Sequence, residues 1–240
     1  MPAPSTHPES ASHDETRSRR VGRPSTAVLD KDRTTRAALE LINRRGYSGF
    51  TMTALAKLLN VAPSALYNHV AAKRDVLLLV QDHLMAQVDI SRFDITAWDN
   101  AVRIWAWSYR DVFAQHTPLI PVIAVLPVTD APHTLAMYEV VSKAFLHAGF
   151  PQERIVSAIV ALESFIFGSA YDVTAPPDIF EPGSMADTNP SFAAAVSSSA
   201  EHESRGRADD AFSLGLGALI SAIGNWQGSR RNPLETVGRG

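Results

Sequence analysis

Apolar residues recur along this chain at three- and four-residue intervals, the spacing of one helix face, with no convincing alternation of strand type. From Lys31 to Arg45 the inner stripe is Ala38, Leu41 and Ile42, with Asp30 placed to cap the start and Gly46 to end the helix. Arg33, Arg36, Arg44 and Arg45 are left to face water or phosphate, and Phe50 plugs the same small core. Thr51 opens a second pattern, in which Leu55, Ala56 and Leu59 form one stripe and Asn60 supplies a residue tolerant of left-handed backbone. Pro63 suits the first position of a third helix, where its missing N–H costs nothing. Leu66 and Val70 are its inner face; Ser64, Ala65, Asn68 and His69 point outward and Tyr67 sits beside the inner edge. Two such helices joined by a tight turn make a helix-turn-helix, and a small, polar outer face on the second suits a DNA major groove.

A fourth helix starts near Lys73 and carries Val76, Leu77, Val80, Leu84, Met85 and Val88, a series longer than a three-helix head requires. Beyond a junction at Arg92–Asp94, the pattern predicts helices over Trp98–His116, Thr134–Ala148, Pro151–Asp172 and Ala208–Trp226. Pro118, Pro121, Pro127 and Pro132 divide one intervening stretch into short helical pieces. The expected fold is all-α, in two parts. Residues 29–90 form a helix-turn-helix head and residues 94–228 a helical body. Within the body, 174–206 is a polar loop or insert with room for a short helix around Phe192–Ser199. Residues 1–28 are expected to be a disordered basic arm and 229–240 a flexible tail.

Charge changes this picture. The formal net charge is −3, yet residues 1–75 hold 12 Lys/Arg against 7 Asp/Glu, and residues 76–240 hold 10 against 18. A basic front on an acidic body is the asymmetry expected when only one end meets phosphates. Arg19, Arg20 and Arg23 read either as a solubilising tail or as an arm onto phosphates or a minor groove. The absence of cysteine excludes disulfides, thiolate metal sites and cysteine nucleophiles, and fits a reducing cytoplasm. The first twenty residues lack the apolar core of a signal peptide. Leu119–Val128 is half a membrane span and is interrupted by prolines. No membrane partner is expected.

The order Thr51, Leu55-Ala56, Leu59, Val61, Leu66-Tyr67, His69-Val70 and Lys73-Arg74, preceded by Gly46 and Phe50, resembles the tetracycline-repressor (TetR) family of bacterial transcriptional regulators. The resemblance covers roughly residues 32–79 in register and is only architectural beyond; Asn60 stands where the family usually has glycine. It implies that Thr51 and Thr53 hold phosphates, that Tyr67 and Lys73 grip phosphates on either flank, and that Pro63 starts the reading helix. Ser64, Ala65, Asn68 and His69 would then face base edges, with Asn68 suited to adenine and the Ala65 methyl to thymine. The partners expected are double-stranded DNA, a second copy of the chain and a small apolar or amphipathic effector. The leading expectation is a repressor that binds a palindromic operator as a dimer and is released by that effector. The alternatives are regulation without a small molecule, an architectural DNA-binding protein, an activator, or an enzyme whose helix-turn-helix is incidental.

In the body, Gly215, Gly217, Ala218, Ala222 and Gly224 lie among Phe212, Leu216, Leu219, Ile220, Ile223 and Trp226. Such a stripe reads either as an ordinary core face or as a helix–helix interface. The resemblance implies a dimer through these residues and Ile159, Phe165 and Ile166 of the preceding long helix. Ten aromatic residues on the body helices read either as a plain core or as an apolar pocket with a few polar groups. The expected pocket residues are Trp105, Tyr109, Phe113, His116, His133, Met137, Tyr138, Glu163 and Phe167. No nucleophile elbow or glycine-rich phosphate loop marks an enzyme, so no catalytic residue and no cofactor are expected. His116 lies where tetracycline-binding relatives place a metal-ligating histidine; one histidine without neighbouring ligands reads as a pocket or core residue, and no metal is expected.

Overall fold

In the computed structural model the chain is described over residues 30–202 and 206–227, and every regular element among these residues is helical. The head holds α1 (Lys31–Arg45), α2 (Met52–Leu59) and α3 (Pro63–Tyr67). Its local chemistry follows the sequence closely. Asp30 accepts the Arg33 N–H at the start of α1, and Gly46 ends it with φ of +69°. Thr51 caps α2 by accepting the Ala54 N–H at 3.1 Å. Asn60 ends α2 in the left-handed region, where the Val61 N–H returns to the Ala56 carbonyl and the Asn60 N–H to that of Lys57. Arg33, expected to face water or phosphate, is half-buried, and its guanidinium donates to the Leu59 carbonyl at 2.8 Å, tying α1 to the end of α2.

Two head boundaries move. Helix α3 stops at Tyr67 with Asn68 as its cap, so His69 and Val70 lie in the following turn and not on the helix. Helix α4 (Lys73–Met85) ends one turn before Val88, which is nevertheless buried. Ile42, Phe50, Leu55, Leu66, Val76 and Val80 close the head core, so α4 forms its floor.

The body is built on α5 (Trp98–Ala114) and α8 (Gln152–Asp172), which pack against each other. Short α6 (Ile120–Ile123) and α7 (Pro132–His147) cover one side and α10 (Arg207–Gly224) the other. Helix α8 is long and apolar enough to cross a membrane, but here Ile155, Ile159, Leu162 and Ile166 are buried against the other body helices. The expected 174–206 loop is partly ordered: α9 (Pro190–His202) occupies over a third of it. Pro190 at the first position and the run Ala193, Ala194, Ala195 favour helix there despite the polar composition.

Candidate nucleic-acid interface and effector cavity

The head presents its polar residues as the sequence pattern requires. Thr51, Thr53, Pro63, Ser64, Asn68 and His69 are exposed, Ala65 is half-buried, and Tyr67 is 50% exposed. Leu66 and Val70 are buried beneath them, which fixes the rotation of α3 on the head. Lys73 is half-buried, with its ammonium 4.1 Å from the centre of the Tyr47 ring and 5.0 Å from that of Phe50. That aromatic seat holds the charge beside α3 at the start of α4. The arm residues Arg19, Arg20 and Arg23 lie outside the described residues.

Of the nine expected pocket residues, four meet. Tyr109 on α5, Tyr138 on α7, and Glu163 and Phe167 on α8 line an internal cavity of about 60 Å³. Both phenols donate to the same carboxylate oxygen, Glu163 Oε1, Tyr138 at 2.7 Å and Tyr109 at 3.1 Å. Burial pushes the Glu163 carboxyl above the usual carboxylate range, against the opposing pull of these two hydrogen bonds. Burial and the neighbouring carboxylate push both phenols up as well. Trp105 and Phe113 form a second layer, packed on Tyr109, and Phe113 also meets Phe167 edge-on. Met137 is buried without lining the cavity.

The two histidines go elsewhere. His116 places Nδ1 3.2 Å from Asn43 Oδ1 on α1, at the seam between head and body. Burial and nearby His83 lower its pKa. His133 places Nδ1 2.7 Å from Asp82 Oδ2, and the other oxygen of Asp82 accepts the Thr134 N–H at 2.9 Å. Helix α5 ends at Ala114, so the chain turns away from the cavity before His116; His133 sits at the exposed start of α7, one turn before the cavity wall.

Sequence reasoning missed three things. Gln81 and Met85 of α4, Ile123 at the end of α6, and Ala124, Leu126 and Val128 of the segment between α6 and α7 complete the cavity wall. The buried Gln81 interrupting an apolar stripe was the available signal for α4. Asp82 clamps the N-terminus of α7, a link made across 52 residues of sequence that no local pattern reveals. A wide groove of about 620 Å³ also runs along the seam, between Thr35 of α1, Leu79 and His83 of α4, and His133.

The expected dimer residues turn inward. Ile159, Ile166, Phe212, Leu216, Ile220 and Ile223 are buried within the chain, and Phe165 and Leu219 are half-buried. Large side chains of α8 and α10 fill the space against α5 and against each other; Phe165 stacks on Phe212 at 5.3 Å and 9°. A Cβ on Gly215 would meet the Phe165 ring, so that glycine serves contact within the chain. The outward faces of the same helices carry Val156, Val160, Ala161, Ser164 and Gly168 on α8, and Ala211, Leu214, Ala218 and Ala222 on α10.

A helix-turn-helix head on an all-helical body is the architecture of DNA-binding transcriptional regulators, and the comparisons agree. Residues 35–80 match the profile of bacterial regulatory proteins of the tetR family, and residues 94–225 match the tetracyclin repressor-like C-terminal domain. The chain belongs to the TetR family of transcriptional regulators. An HTH-type transcriptional regulator of Saccharopolyspora erythraea is 30% identical over 142 residues, which span 59% of this chain and 60% of that protein. The HTH-type transcriptional repressor DrrR1 of Streptomyces coeruleorubidus is 25% identical over 154 residues, 63% of this chain and 56% of that one. The matches thus span under two thirds of these relatives' lengths. Among solved structures, ActR of Streptomyces coelicolor in complex with actinorhodin shares the fold at 22% identity and a TM-score of 0.70, covering 85% of this chain and 99% of that one. A TetR variant of Acinetobacter baumannii in complex with minocycline shares it at 24% identity and a TM-score of 0.65, covering 84% and 96%.

Proposed function

We propose that this chain is a cytoplasmic, ligand-controlled repressor that binds a palindromic operator as a homodimer and is released by a small apolar or amphipathic effector. Ser64, Ala65, Asn68 and His69 read base edges, and Thr51, Thr53, Tyr67 and Lys73 hold phosphates around them. The observation that carries the reading is the double duty of α4. Val76, Leu77 and Val80 are the floor of the head core, while Gln81 and Met85 are a wall of the cavity. A molecule that enlarges the cavity therefore presses on the helix that carries the reading head. A coupling of about 1–3 kcal/mol between the two sites changes operator affinity about 5- to 150-fold.

The outward faces of α8 and α10 supply the contact between copies. Leu214 is 79% exposed and Val156 71%, among small residues that allow close approach of another helix. Two heads so joined meet half-sites about 34 Å apart on one DNA face. A gel shift on the DNA flanking the protein's own gene, with and without a metabolite extract, tests the reading. Binding that the extract reverses is the expected result. Binding indifferent to every small molecule makes the protein an unregulated DNA binder, and turnover by the body without selective DNA binding makes it an enzyme.

A further inference from the structure

The cavity under α4 has a one-sided polar lining. Among the described residues that line it, Glu163 is the one with a charged side chain, and none is a lysine, arginine or histidine. Both phenol protons are already directed at Glu163 Oε1, which leaves Oε2 as an unused acceptor. The Gln81 carbonyl oxygen is a second acceptor, buried and without a hydrogen-bond partner. What this site lacks is positive charge; its donors are the two phenols, already spent on Glu163, and the Gln81 amide. Buried carboxylates are ordinarily paired with a cation, and buried carbonyl oxygens ordinarily accept a hydrogen bond. The aromatic walls Tyr109, Tyr138 and Phe167 are also the surfaces that attract a desolvated cation.

We infer that the effector site selects a lipophilic amine, its ammonium head donating to Glu163 Oε2 and Gln81 Oε1 between the aromatic walls. This rests on the ligand-controlled reading and names the chemistry of its effector. A volume of about 60 Å³ suits a compact ammonium head, since one water takes about 30 Å³. The rest of such a molecule has to displace the irregular 124–131 segment, part of the cavity roof, in which Val125 is 80% exposed. The raised pKa of Glu163 agrees with a carboxyl that has no cationic partner among the described residues. A bound ammonium supplies that partner and favours the ionised form. Because Gln81 belongs to α4, the same hydrogen bond that recognises the head group reaches the helix under the reading head.

The test compares three probes of one shape on the purified full-length chain: 1-naphthylmethylamine, 1-naphthalenemethanol and 1-naphthoic acid. Binding is read by quenching of tryptophan fluorescence, since Trp105 packs on Tyr109. The amine is expected to bind about tenfold or more tighter than the alcohol, and the acid weakest, the size of a charge-assisted hydrogen bond. Glu163→Gln keeps an acceptor for the two phenols and is expected to abolish the preference for the amine over the alcohol. Equal binding of the three probes, tighter binding of the acid, or no binding by any of them overturns the inference. So does an amine preference that survives Glu163→Gln. The DNA reading is judged separately by gel shift. An amine preference that depends on Glu163 without operator release sinks ligand control but leaves the amine site standing. Operator release by neutral or anionic molecules alone does the reverse.

Discussion

At Lys73 one ammonium serves two purposes. It rests on the Tyr47 and Phe50 rings inside the head, and in the proposed function it also holds a phosphate beside α3. Lys73→Ala should therefore lower stability by about 0.5–1 kcal/mol in urea unfolding, weaken binding to all duplexes alike, and reduce the salt slope by about one. Unchanged affinity and slope would remove Lys73 from the interface. Asn68→Ala should instead relax a single base position, at a cost of about 1–3 kcal/mol on the preferred site. His116 gives a pH prediction with a definite sign. Burial and His83 lower its pKa in the folded chain, so over that window the unfolded chain binds more protons and stability rises with pH. Its contribution is present above the ordinary histidine range and is lost as pH falls through the lowered folded value. Thermal unfolding of His116→Gln should show a flatter acid limb than the parent protein; an identical limb would contradict this. Single residues were legible where their chemistry is local, as with the caps Asp30 and Thr51 and the left-handed Asn60. Arg33 was not, because its partner carbonyl on Leu59 is 26 residues away.

Helix α4 matters most among the elements, and its far end is held by one carboxylate. Asp82 receives the Thr134 N–H and hydroxyl and lies beside His133, so it neutralises the positive end of α7 from a different helix. Asp82→Ala should cost about 0.5–2 kcal/mol, the range for a lost helix cap, and should leave operator affinity less responsive to effector. Full response in the variant would place the coupling elsewhere. The long periodic helices were legible from spacing alone, because a stripe of three or more apolar positions tolerates errors of a residue at each end. Their rotation was not. The residues expected between copies are the large ones, and large residues are also what α5 demands from α8 and α10. The small outward residues Ala218 and Ala222 look from sequence like part of the same stripe. Gly215→Ala should destabilise the chain by about 1–3 kcal/mol as overpacking against Phe165.

For the whole molecule, the division of charge along the chain was readable before any geometry, because basic residues outnumber acidic ones 12 to 7 in residues 1–75 and are outnumbered 18 to 10 after them. The cavity was only half readable. Aromatic residues announce a core as readily as a pocket, and only packing shows that Tyr109, Tyr138, Glu163 and Phe167 converge while His116 and His133 sit at the seam. Leu214→Glu on the exposed face of α10 should convert a dimer into a folded monomer by sedimentation, with intact helix content and lost operator binding. The most direct measurement is an anisotropy titration of the purified chain against duplexes tiling the DNA beside its gene, at about 50 and 200 mM salt. The account predicts one preferred palindromic duplex, bound by two copies, with affinity falling steeply as salt rises. A monomeric protein at micromolar concentration that ignores every duplex at the lower salt would contradict it.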